Sequence, residues 1–182
     1  WVHRATRGWS FGSAVVDPRT GEILKGNVSL GSLRVRQDYL IAQGLLAPFE
    51  NDDFPSDNRM LQMALQRLKQ LAAHEVGHTL GLLHNYISSS QNRASVMDYP
   101  PPMVTLNSNN EIDLSTAYTN EIGDWDKVSI QYGYEQFPKE TNETTALDKI
   151  LSDASKKGLT FISDRDARDP GGMHPNAHLW DN

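Results

Sequence analysis

The sequence predicts an α+β fold: a small, partly antiparallel sheet packed on one long helix, followed by an irregular, helical C-terminal lobe. Three observations point there. Residues 10–32, SFGSAVVDPRTGEILKGNVSLGS, set β-prone runs on either side of a DPRTG turn, which is hairpin chemistry. Leu61, Leu65, Leu68, Ala72, Val76 and Leu80 recur three or four apart, which is one face of a helix. Beyond them the periodic stretches are short and separated by polar, Gly- and Pro-bearing segments. A chain of 182 residues suits one domain, expected in two lobes over residues 1–81 and 82–182.

Ala14-Val15-Val16 open the hairpin, and Ile23, Leu24, Val28 and Leu30 continue its second strand. LRVRQDYLIAQGLL, residues 33–46, reads as a helix with Gly44 and Pro48 near its end. PFENDDFPSDN is a polar loop. The long helix starts near Ser56 or Asp57, either of which suits an N-cap, and Gly81 sits where it should stop. NYISSSQNRASV is a loop. EIGDWDKVSIQYGY carries Ile122, Trp125, Val128 and Tyr132 at helical spacing, with Gly133 as a stop. TTALDKILSDASKKG is a further helix with Thr145 and Asp148 in capping-box positions, and LTFIS reads as a last strand. The tail from Asp164 is rich in Asp, Gly, Pro and His and looks irregular.

Composition narrows the function classes. The net charge of −6 gives no reason to expect nucleic acid as a partner. There is no apolar run of eighteen residues to span a membrane. With no cysteine, disulfides, thiolate zinc ligands and a cysteine nucleophile are excluded. The first residue is Trp1, so the chain is expected to be a processed form or an excised piece, truncated before the hairpin.

The chemistry concentrates in AAHEVGHTLGLLHNY, residues 72–86, which holds three of the six histidines. Residues four apart on a helix project from nearly the same side, so His74 and His78 aim at one point. Two neutral imidazoles at that spacing make half a zinc site. Glu75 follows His74 and stays close enough to reach a water on the metal; this is H-E-x-x-H, with the glutamate as general base. A catalytic zinc takes three protein ligands and keeps one position open. His84 is the third ligand, and it lies too far along for a straight helix. Gly81 supplies the turn, because glycine takes positive φ without steric cost.

HEVGHTLGLLHN with SVMDYP downstream resembles the metzincin clan of zinc metallopeptidases, with its HExxHxxGxxH motif and methionine turn. The specific match covers roughly residues 72–100. DPRTGEILKGNVSLGSLRVRQDYLIAQGL and the final HPNAHLWDN are similar to the catalytic core of a group of large bacterial zinc-dependent metalloproteases. The resemblance implies a two-lobed zincin fold, Met97 as an apolar floor under the metal, and Tyr99 as an extra ligand or an oxyanion donor. It implies that GEILKGNVSLGS is the edge strand that binds a peptide by strand addition, and that GDWDKVSIQYGY is the C-terminal helix. It implies a peptide or protein substrate and an exported setting, whether periplasmic, cell-surface or extracellular. Asn85, directly after the third histidine, departs from the residue that marks several subfamilies.

The mechanism implied is peptide hydrolysis by a zinc-activated water, with Glu75 as base and Tyr99 near the oxyanion. A non-catalytic zinc scaffold and a hydrolase of non-peptide amides or esters are the alternatives; an intact Glu75 argues against the scaffold. A lone H-E-x-x-H recurs by chance, but His84, Gly81 and the Met-x-Tyr turn together set this one apart. The remaining candidates take plainer readings. His174 and His178 are expected to be solvated or locally packed, and Asp164, Asp166 and Asp169 a solvated acidic run. His3 is expected to be unrelated to the metal, and Trp9, Trp125 and Trp180 to be core or lobe-interface aromatics.

Overall fold

The structure is a computed structural model of the chain and describes residues 2–3, 9–46, 58–167 and 174–177. The α+β expectation holds. Strands β1 (Val2–His3), β2 (Phe11–Val16) and β3 (Ile23–Gly31) form one sheet in the order β1-β3-β2. Helices α1 (Leu33–Leu46) and α2 (Arg59–Thr79) come next. A short hairpin, β4 (Thr105–Leu106) and β5 (Ile112–Asp113), precedes α3 (Asp124–Tyr134), α4 (Glu143–Lys156) and α5 (Asp164–Ala167). Among the described residues no helix is long and apolar enough to cross a membrane. Two compact units emerge: Trp1–Gly81 with Pro101–Glu121, and Leu82–Pro100 with Ile122–Asn182.

In the first unit, β2 and β3 pair antiparallel from Phe11↔Ser29 to Val16↔Ile23, with the register shifting between Val15 and Val16. Their turn is closed by Asp17, whose side chain accepts from the Arg19 N–H at 2.9 Å, and by Gly21 at φ +76°. β1 runs parallel to β3. This corrects the edge-strand assignment: among the described residues GEILKGNVSLGS is the central strand, and β2 is the outer one. The sheet packs on α2, which also packs along α1. Two glycines allow the close approach. A Cβ on Gly12 would sit 2.0 Å from the Glu75 carbonyl oxygen, and one on Gly26 would sit 2.8 Å from the Thr79 Cβ.

The buried face of α2 is not the leucine stripe. Leu61 (42%), Leu65 (44%), Val76 (48%) and Leu80 (38%) are exposed, and Leu68 and Ala72 are half-buried. Met60, Met63, Ala64, Arg67, Leu71, His74 and Glu75 are buried instead. Met60 and Met63 join Ala42, Leu114, Ala117 and Tyr118 in one core. Methionine fills irregular gaps as well as leucine does, and Arg67 lies inward with its guanidinium 5.4 Å from the Tyr118 ring centroid. The helix is therefore turned so that its chemical face meets the sheet.

Several boundaries differ from expectation. The residue before α2 is Asn58, without a side-chain cap; Ser56 and Asp57 lie outside the described residues. α3 runs one residue past Gly133, to Tyr134. The cap of α4 is Asn142, whose side chain accepts from the Thr145 N–H at 3.0 Å, so Thr145 is inside the helix. LTFIS is not a strand; its Ile162 carbonyl accepts the Tyr86 N–H at 2.9 Å, without a regular ladder. Trp9 is 66% exposed rather than core. Trp125 stacks on Phe161, centroids 5.6 Å apart.

The two faces of α2 should respond differently to substitution. Met63→Ala is expected to cost about 2–5 kcal/mol of unfolding free energy, and Leu65→Gln to stay within about 0.5 kcal/mol. Urea denaturation reads both; equal losses would contradict the exposure of the leucine face.

Candidate metal centre

α2 ends between the second and third histidines of the cluster. Leu80 donates its N–H to the Val76 and Gly77 carbonyls, Gly81 donates to His78, and Gly81 then takes φ +84°. The chain leaves the helix there and returns His84 toward the two helical histidines. One ring nitrogen from each of His74, His78 and His84 lies within 4.8 Å of the others. The Nε2 atoms of His74 and His78 are 3.1 Å apart, with their rings nearly perpendicular. Zinc–nitrogen bonds of about 2.0–2.1 Å in a tetrahedron put neighbouring ligand atoms roughly 3.3–3.4 Å apart. Three imidazole nitrogens gathered this closely suit a zinc ion.

Glu75 is 3% exposed. Burial pushes its carboxyl up to about 7, while a hydrogen bond from the Gly12 N–H and the charge of Arg67 pull the other way. β2 thus supplies a backbone donor to the Glu75 carboxylate, and nothing in the sequence around Gly12 marks it for that role. Arg67 is itself buried and donates to Gln70.

The methionine turn is pinned from several sides. Met97 is buried, and its carbonyl accepts the Asn85 N–H at 2.7 Å. The Ser95 hydroxyl accepts from the Met97 N–H at 2.9 Å and donates to Asp126 at 2.5 Å. Asp126 also accepts from the Val96 N–H at 2.8 Å and the Gly123 N–H at 2.7 Å. Burial raises its carboxyl above the usual range against these bonds. Trp125 donates its N–H to the Ala94 carbonyl at 2.8 Å, so the start of α3 clamps the turn. Asp98 holds the next corner, accepting from the Ser89 and Tyr99 N–H groups at 2.6 and 2.7 Å.

Tyr99 stands with its hydroxyl 3.0 Å from His84 Nε2. Asn85, the departure from subfamily patterns, is fully buried. Its amide donates to the Thr160 carbonyl and accepts the Ile162 N–H, each at 3.0 Å. Asp164 overturns the expectation of a solvated acidic run: its Oδ2 lies 2.8 Å from His84 Nδ1. Spacing carries no signal of this contact, because eighty positions separate the two. His174 is exposed; His178, Asp169 and Trp180 lie outside the described residues, as does the His3 side chain.

Gly12→Ala tests the close approach of β2. Its Cβ would meet backbone, which cannot swing aside, so a loss of about 1–3 kcal/mol is expected. Gly44→Ala, in α1 with nothing within 4 Å, should instead gain about 0.5–1 kcal/mol. Denaturation midpoints that move together would contradict the contrast.

The sequence model of the Met-zincin family matches residues 56–182. No curated protein and no solved structure matches the chain.

Proposed function

Because the chain belongs to the Met-zincin family, we propose that it is a zinc-dependent peptidase in which His74, His78 and His84 hold the metal and Glu75 is the general base. The observation that carries this reading is the convergence of three imidazole nitrogens within 4.8 Å on the segment that also buries Glu75. When bound, zinc supplies Lewis acidity, polarising a carbonyl and bringing the pKa of water toward about 7.

The chain's own groups do the rest. Glu75 accepts the proton of the attacking water and passes it to the leaving amine, so one carboxylate serves as base and then acid. Its buried position keeps that proton from bulk water, and the Gly12 N–H fixes its orientation. The Tyr99 hydroxyl donates to the oxyanion that develops as the carbonyl carbon becomes tetrahedral. Met97 packs as an apolar floor and carries no proton. The outer strand β2 is the edge for an extended peptide, whose backbone would add to the sheet. Gly12 lies on that strand, so a peptide bound there passes beside the base.

A purified chain cleaving a peptide library is the direct test. Removing the metal with a chelator should abolish cleavage, and stoichiometric zinc should restore it. Glu75→Gln should retain the metal and lose turnover by about 10²–10⁴-fold; undiminished cleavage would refute the base assignment. Tyr99→Phe should lower kcat by about 10²–10³-fold, and an unchanged rate on a good substrate would remove Tyr99 from the machinery.

A further inference from the structure

Resting on the zinc reading above, we propose that Asp164 and Tyr86 are positioning residues for His84: they hold the proton of its ring on Nδ1 and so put its lone pair on Nε2, toward the metal. Asp164 Oδ2 lies 2.8 Å from His84 Nδ1, and the Tyr86 hydroxyl lies 3.0 Å from the same nitrogen. The Tyr86 hydroxyl donates to Asp164 Oδ1 at 2.8 Å. A phenol has one proton to give. Once it goes to Asp164, the phenol oxygen and the carboxylate both face Nδ1 as acceptors. A proton on Nδ1 satisfies both; a lone pair there would meet two more. The neutral imidazole then carries its lone pair on Nε2, the nitrogen beside Tyr99.

The arrangement is delivered by contacts that need no metal. Tyr86 is fully buried and stacks on His84 with centroids 5.1 Å apart. The segment before Asp164 is laced to the residues after His84: the Tyr86 N–H donates to the Ile162 carbonyl, and Asn85 bonds Thr160 and Ile162. α5 therefore begins at the distance that brings a half-exposed carboxylate onto the ring. Of the three histidines, His84 is the one outside the helix, where no regular backbone ladder fixes its ring. A carboxylate on the far nitrogen of a ligand histidine orients it and raises its basicity, and losing one costs about 10–100-fold in metal affinity.

The experiment measures zinc dissociation constants by chelator competition for wild type, Asp164→Ala, Asp164→Asn and Tyr86→Phe. Long-range proton–nitrogen spectra of the His84 ring accompany it. Asp164→Ala should bind zinc about 10–100-fold more weakly. Asp164→Asn should fall between, since its amide oxygen still accepts from Nδ1–H, and Tyr86→Phe should weaken binding by less. The wild-type spectra should place the proton on Nδ1. A purely structural role would lower the melting temperature of the metal-free protein and leave both the affinity order and the tautomer untouched. Wild-type affinity in Asp164→Ala, or a His84 proton on Nε2, would overturn the proposal alone. A wild type that takes up no zinc would sink the peptidase reading and this one with it. Should Asp164→Ala fail to fold, the Asn variant and the wild-type tautomer still decide.

Discussion

Ten residues of α-helix advance about 15 Å, so His84 can share a point with His74 only if the helix ends between them. That constraint organises the residues around it. α2 ends at Thr79, one residue beyond His78, and the left-handed turn at Gly81 follows. An L side chain at that φ would strain the backbone, and any continuation of the helix would carry His84 off the cluster. The segment beyond Gly81 is then free to be irregular, and its order comes from side-chain clamps at Asn85, Asp98 and Asp126 rather than from a backbone ladder.

A second requirement lies on the other side of α2. The face that carries His74 and Glu75 must be buried enough to keep the carboxylate out of water, yet a donor must still reach it. The sheet meets both demands by approaching closely. Gly12 and Gly26 remove the side chains that would hold β2 and β3 away from the helix, and the Gly12 N–H then reaches Glu75. Burying this face leaves the leucines outward. The helix is oriented by its chemical residues and by Met60, Met63 and Arg67, not by its most regular apolar stripe.

These two features differ in how far they can be read from the chain. The hairpin, α1, the end of α2 and the histidine cluster are local: each rests on spacing within about twenty residues, and each is legible. The orientation of α2 is not, because periodicity locates a face without saying what it meets; Leu61 and Leu65 keep the helical period and still face outward. The central place of β3 depends on β1, a two-residue strand too short to carry a pattern. The Asp164 contact is non-local, and an Asp in an acidic, glycine-bearing tail carries no local mark of its partner. The same holds for Asp126, whose hold on Ser95 and Val96 spans thirty-one and thirty positions. Thr145 shows a local failure, since Asn142 lies three residues before it and wins the cap.

X-ray absorption at the zinc edge of the metal-loaded chain reads the convergence of the three histidines itself. Three imidazole nitrogens at about 2.0–2.1 Å and one further light-atom ligand are expected. A shell with fewer than three imidazoles, or one filled by water oxygens at hydrated-ion distances, would contradict it.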